Sequence, residues 1–192
     1  MTGRRRFQPL EERSFPLLEK LFGPNGAQSG CWCMWFRRTN AEISANGSAG
    51  NRAALAQLSR TGQPIGLLAV QGETPVGWVA VAPREQHSRL ARSKVAAPAS
   101  KDEDTAGVWS VTCFFVHRTA RGQGLTGALL AAAVDYAREH GAERVEGFPV
   151  DTLGAKKNSG ELYHGTLNLF LDAGFRLVER RGTHRALVRR EL

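Results

Sequence analysis

"VHRTARGQGLTGALLAAAVDYAREHG" occupies Val116–Gly141. Two arginines, three glycines and two threonines open it, and a long run of helix formers follows. Leu125, Leu129, Ala133 and Tyr136 fall near one helical face, and Leu130, Val134 and Ala137 widen it. Gly141 supplies the stop. The spacing predicts a helix over 126–140. Directly before it, "GVWSVTCFFVH" (107–117) is apolar on both faces, as a strand in the middle of a sheet must be. A central strand passing through a glycine loop into a helix builds an anion site. The first N–H groups of a helix lack internal partners, and its dipole places partial positive charge there. Gly122 and Gly124 let the backbone approach a ligand, and Arg121 adds charge.

The flanking sequence predicts a mixed sheet with helices on its faces. "RSFPLLEKLF" (13–22) reads as a short helix with Ser14 as N-cap and Pro16 in its first turn. "GPNGAQSG" (23–30) and "NGSAG" (46–50) read as loops, "CWCMWF" (31–36) as a strand or packed turn, and "NRAALAQLSR" (51–60) as a helix capped by Asn51. "IGLLAVQ" (65–71) and "VGWVAVAP" (76–83) read as a hairpin. Residues 84–106 have no period and read as a mobile excursion. "RVEGFPV" (144–150) predicts another strand, 151–162 a polar loop and "YHGTLNLFLDAG" (163–174) a helix. "FRLVER" and "RALVRR" form the last two strands, around an "RGTH" turn. No repeat and no linker divides the 192 residues, so one domain over 1–192 is expected.

Apolar residues make up 42% of the chain, enough for a substantial core, but the longest strictly apolar run, "ALLAAAV" (128–134), is far below a membrane span. The basic N-terminus is followed by no apolar run of the secretory kind. Cys31, Cys33 and Cys113 are odd in number and have no second ligand pair for zinc, so reduced, partly buried thiols and no metal are expected. These features point to a cytoplasmic protein with no membrane partner. The net charge is +8, with +4 in residues 1–40 (seven basic, three acidic), +1 in 41–150 (eleven and ten) and +3 in 151–192 (eight and five). Such a surface favours an anionic partner or simply keeps the protein soluble.

The loop is no Walker motif, since G-x-x-x-x-G-K-[ST] is absent. Gly122, Gly124 and Gly127 satisfy G-x-G-x-x-G, but a dinucleotide fingerprint belongs to an early strand–helix–strand unit with an acidic ribose ligand. Arg121-Gly122-Gln123-Gly124-Leu125-Thr126 fits R-x-x-G-x-(G/A) better. Together with the "FFVH" strand end, the amphipathic helix, the next strand and the late helix ending in "AGF" (173–175), this order resembles the GNAT superfamily of N-acetyltransferases. The resemblance covers roughly residues 60–180, with 1–60 as an N-terminal segment on the acceptor side. "CWCMW" (31–35) and "PREQ" (83–86) are similar to stretches in an actinobacterial-type subgroup.

The resemblance implies a twisted, mostly antiparallel sheet flanked by helices, with a cofactor cleft where two strands splay. It implies acetyl-CoA or another acyl-CoA as donor, its pantetheine arm beside Phe114, Phe115 and Val116, and its pyrophosphate on Arg121, Gly122, Gln123, Gly124, Thr126 and Gly127. An acceptor amine on a small molecule or peptide would attack the thioester directly. Thr126 departs from the family's Gly or Ala: its methyl crowds the phosphate, or its hydroxyl donates to it. Many members carry a tyrosine acid four residues before the glycine of the terminal "GF", and Phe170 stands there. Tyr163 and His164 become the nearest proton donors, Glu146 a candidate base, with Asp151 and His117 behind it. Trp32, Trp35 and Arg37 are candidates to line the acceptor site; an accessory core under the first helix is the alternative.

Two other readings stay open. The charged termini suit a GNAT-fold enzyme that uses or modifies aminoacyl-tRNA. Phe170 suits a non-catalytic acyl-CoA sensor. The chain is expected to act as a monomer or homodimer.

Overall fold

The computed structural model describes residues 4–155, 158 and 160–192. A seven-stranded sheet in the order β1-β2-β3-β4-β5-β7-β6 forms its centre. The strands are β1 (Arg5–Pro9), β2 (Gly66–Gln71), β3 (Thr74–Pro83), β4 (Val108–Val116), β5 (Arg144–Gly147), β6 (Arg176–Arg181) and β7 (Arg185–Glu191). All neighbours are antiparallel except β4 and β5, which run parallel. The helices are α1 (Phe15–Phe22), α2 (Asn40–Leu58), α3 (Leu125–Glu139) and α4 (Leu167–Asp172).

One extra residue in β4 organises the site. Val111 pairs with Val81 and Cys113 with Ala80, so Thr112 is bulged out of the ladder. The bulge flips the side-chain alternation. Trp109 and Val111 face the α3 side before it, and Phe114 and Val116 face that side after it. Cys113 and Phe115 thereby turn toward the α1 and α2 side. The parallel pairing of β4 with β5 runs only from Val108–Arg144 to Val111–Gly147. Past the bulge the two strands part.

The core has two main layers. Leu125, Leu129, Leu130, Ala133, Val134 and Ala137 of α3 are buried against one face of the sheet, with Phe170 and Phe175 beside them. Each buried leucine contributes about 1.5–3 kcal/mol. On the other face Leu18, Phe22, Leu55 and Trp78 pack together with Trp32 and Met34.

Several sequence expectations need correction. "RRFQP" forms an edge strand, β1, that the polar sequence concealed. α2 starts at Asn40 rather than Asn51, capped by a reciprocal Thr39–Glu42 pair and bent at Gly47. Asn51 lies buried inside it and donates to the Gly30 carbonyl at 3.1 Å. The 84–106 segment is packed: Arg84, His87, Leu90 and Ala96 are buried. Arg181 donates to the carbonyls of Val95, Ala97 and Pro98, and Glu103 pairs with Arg189 at 2.5 Å. Tyr163 and His164 precede α4, whose N-cap is Thr166. His164 is buried.

Candidate functional site

α3 begins at a loop shaped for an anion. Gly122 and Gly124 both have φ +71, where an L side chain is strained, and a Cβ on either would meet nothing within 4 Å. The cradle above the first turn of α3 is therefore open. Arg5 of β1 braces it, donating to the Gln123 side chain at 2.5 Å and to the Gln123 carbonyl at 3.3 Å. Arg121 Nε donates to the Val116 carbonyl at 3.2 Å.

From this loop a cleft runs along the splayed half of β4. It is lined by Thr126, Arg121, Val116, Phe115 and Phe114 on one side and Leu162 and Tyr163 on the other. It opens into an apolar chamber of about 230 Å³ bounded by Cys31, Cys33, Cys113, Trp35, Phe36 and Tyr163. A third cavity of about 280 Å³ shares Trp35, Phe36 and Tyr163 with the chamber and adds His164, Arg89, Arg92 and Arg185. Tyr163 borders all three.

The segment before α4 crosses the gap between β4 and β5. The Phe114 N–H donates to the Tyr163 carbonyl at 2.6 Å, the Val150 N–H to the Gly165 carbonyl and the Leu167 N–H to the Val150 carbonyl. His164 Nδ1 lies 3.0 Å from the carbonyl of the bulged Thr112. A carbonyl only accepts, so Nδ1 carries the proton and Nε2 holds a lone pair. Burial, and then the charge of Arg185, hold the His164 pKa down at about 3, so the ring is neutral. Burial pushes the Tyr163 phenol upward and keeps it protonated.

The other candidates are placed elsewhere. Glu146 is fully buried, accepts from Ser110 at 2.8 Å and pairs with Arg84 and Arg189. It borders none of the three cavities, and its place in an ion network makes it a structural carboxylate. Asp151 is tied to Arg180 at 2.9 Å, which holds its carboxyl below the usual range. His117 bonds to Thr119 at the end of β4. Trp32 is a core residue that donates to Ser48 at 3.1 Å and packs on Phe22. Arg37 donates to Gln86 and borders none of the three cavities. Trp35 alone of that group reaches the chamber. Phe170 is fully buried against Phe114, Phe175 and Gly147.

Sequence reasoning missed Arg89, Arg92 and Arg185. They come from the 3-10 turns after β3 and from the start of β7, and only the fold brings them to His164. The cysteines are free, and Cys33 accepts a hydrogen bond from Trp78 Nε1 at 3.2 Å. Among the described residues no group of three or more His, Cys, Asp or Glu could hold a metal ion, and no helix is long and apolar enough to cross a membrane.

The lining of the cleft is compatible with an acyl-CoA. The cleft offers an open glycine cradle at a helix start, a passage beside extended backbone and an apolar end, in that order.

Residues 32–163 match the model of the acetyltransferase (GNAT) family. Comparison with curated proteins finds no match. An acetyltransferase from Thermus thermophilus superposes with TM-score 0.56 at 17% identity, covering 100% of both chains. A GCN5-related N-acetyltransferase from Kribbella flavida gives 0.55 at 17%, covering 98% of each. PaiA N-acetyltransferase from Thermoplasma acidophilum, in complex with coenzyme A, gives 0.53 at 11%, covering 98% of this chain and 99% of that one.

Proposed function

The chain belongs to the GNAT acetyltransferase family, and from that premise we propose that it transfers an acyl group from acyl-CoA to the amine of a small acceptor by direct attack. The observation that carries this reading is the set of three neighbouring cavities that share Tyr163: the cleft at Arg121 and Thr126, the apolar chamber and the arginine-lined cavity. The loop N–H groups and Arg121 hold the pyrophosphate. Thr126, half-buried at the cleft wall, offers its hydroxyl to the same anion. Val116 lies along the pantetheine arm, and the acyl end enters the chamber beside Cys113 and Phe115.

The proton chemistry falls to the 163–164 pair. His164 Nε2 accepts a hydrogen bond from the attacking amine and aims its lone pair. With a pKa near 3 it does not store the proton at neutral pH, so the acceptor reacts as the free base. Tyr163, which borders donor cleft and acceptor cavity alike, donates its proton to the leaving thiolate and is restored by the proton that the amine nitrogen gives up as the amide forms. Phe170 leaves no acid at the family's usual tyrosine position. The "CWCMW" segment, a resemblance to the actinobacterial-type subgroup, shapes the chamber through Cys31, Cys33 and Trp35.

The test is release of free CoA from acetyl-CoA by the purified chain with a panel of amines, alongside acetyl-CoA binding. Amine-dependent CoA release supports the reading. Acetyl-CoA binding with no acceptor-dependent release from any amine supports a sensor instead.

A further inference from the structure

The cavity beyond Tyr163 and His164 is cationic. Arg89, Arg92 and Arg185 all line it, and no carboxylate does among the described residues. Half-buried arginines without an ion pair among the described residues, such as Arg37, also lie elsewhere, but here two of them converge on one cavity. The fully buried arginines are matched: Arg84 with Glu146, Arg181 with Glu179, and Arg189 with Glu103 and Glu146. The two half-buried arginines of the cavity, Arg89 and Arg185, have no ion pair among the described residues. Arg185 gives one N–H to the Phe148 carbonyl at 2.6 Å, and its buried Nε has no partner. Arg89 is pinned by Asn40 at 2.6 Å and the Arg38 carbonyl at 2.9 Å, lies over the Trp35 ring at 3.9 Å, and also leaves its Nε unpartnered. Removing a guanidinium from water without an acidic partner is costly. A fold that holds two of them around one cavity is prepared for an anion from outside. The planar fork of arginine matches a carboxylate or phosphonate in paired hydrogen bonds.

On the acyl-transfer reading, we infer that the acceptor is an amine carrying an oxyanion, in the class of the free amino carboxylates, and that Arg185 with Arg89 receives that oxyanion while the amine points past His164 and Tyr163 toward the chamber. Size sets a bound: about 280 Å³ lies just below the usual range of ligand cavities and admits only a compact metabolite. The arrangement also couples binding to chemistry. The Arg185 charge is one of the influences holding His164 neutral, so an anion on Arg185 relieves it and makes His164 the better proton acceptor once the acceptor is seated.

The experiment compares matched acceptors: free L-amino acids, their C-terminal amides and the corresponding aminophosphonates, with CoA release and acetyl-CoA affinity both read. The acids or phosphonates are expected to exceed the amides in kcat/KM by about tenfold or more. In Arg185→Gln that preference collapses toward one while acetyl-CoA affinity is kept. Preference for acids alone assigns a carboxylate, and equal use of phosphonates assigns oxyanions generally. A ratio near one in the wild type, or the same ratio in the variant, overturns the inference. Arg89→Gln is the second variant if Arg185→Gln does not fold. If no amine turns over, thermal shift decides. Stabilisation by the acids but not the amides, lost in Arg185→Gln, upholds the anion site even where acyl transfer fails, and no shift from any acid overturns it.

Discussion

His164 Nδ1–H donates to the carbonyl of Thr112, the residue that the β4 bulge expels from its ladder. One backbone irregularity thus opens the cleft, turns Cys113 and Phe115 toward it, and fixes the tautomer of the imidazole at its far end. The hydrogen bond spans 3.0 Å between buried groups and holds the ring edge-on to Phe36 and against Tyr163.

Stability should follow the neutrality of that ring. His164 is held near pKa 3, and His87 is also pushed well below its ordinary 6.5, in both cases chiefly by burial. Their unfolded forms bind protons below about pH 6.5 and their folded forms do not. The unfolded state therefore takes up more protons as pH falls, and stability is lost from about pH 6.5 downward. Thermal midpoints between pH 7 and 4.5, above the range where most carboxylates titrate, should decline. In His164→Asn, whose amide keeps a donor for Thr112, that slope should be shallower. An unchanged slope contradicts the assignment.

Glu146 tests the boundary between structure and catalysis. Glu146→Gln leaves Arg84 and Arg189 facing a neutral amide in the interior, a loss expected to cost about 3–5 kcal/mol. Denaturant titration should show that loss, while kcat per folded molecule stays close to the wild-type value. A large fall in kcat with stability intact would restore Glu146 as a base.

Tyr163→Phe should act in the opposite way. The ring remains, so stability and acetyl-CoA affinity hold, and kcat falls by about a hundredfold or more, the scale of lost general-acid catalysis. The phenol is raised above its ordinary 10 by burial, so the wild type should keep its activity up to about pH 10. Loss of the wild-type activity well below that pH, or a variant with normal kcat, removes Tyr163 from the reaction.

Cys31 and Cys33 should be sluggish. Burial first, and Cys33 next, push Cys31 up to about 11, and the neighbouring Cys113 and burial push Cys33 well above its ordinary range. Little thiolate exists at neutral pH. Alkylation by iodoacetamide at pH 7.5 should be slower than for free cysteine, and slower again with acetyl-CoA present. Rapid modification unaffected by acetyl-CoA would mean that the chamber is not where the acyl group goes.

The parts of this fold that repeat a short period were legible in the sequence. The hairpin from Gly66 to Pro83, strand β4 and helix α3 stand within a residue or two of their expected bounds, because periods of two and 3.6 leave clear apolar faces. β1 was hidden because its "RRFQP" edge carries little apolar signal. The first half of α2 was hidden by Gly47 and Gly50, and its Thr39–Glu42 cap went unread. The 84–106 excursion looked mobile because what holds it is distant: Arg181 on β6, Arg189 on β7 and Glu146 on β5. The same distance concealed Arg185. Nothing near "RALVRR" marks it as a neighbour of His164, and only strand order brings them together. Tyr163 borders the chamber, whereas Trp32 and Arg37, which the resemblance offers for the acceptor side, pack elsewhere.

Thr126 is the loop's departure from the family pattern, and its effect is measurable. Removing a hydroxyl that donates to a phosphate costs about 0.5–1.5 kcal/mol. Thr126→Ala should therefore weaken acetyl-CoA binding by a few fold. Tighter binding in the variant would show that the methyl crowds the site.

The most direct measurement of the central claim is calorimetric titration of acetyl-CoA into the wild type and into Gly124→Val, with circular dichroism to confirm that both are folded. Gly124 stands at φ +71 beneath an open cradle. A valine there strains the backbone and projects into the space assigned to the pyrophosphate. One molecule bound per wild-type chain, with binding abolished or weakened at least tenfold in the variant, is the result predicted. Equal affinity in the two proteins, or no binding to the wild type, contradicts the account.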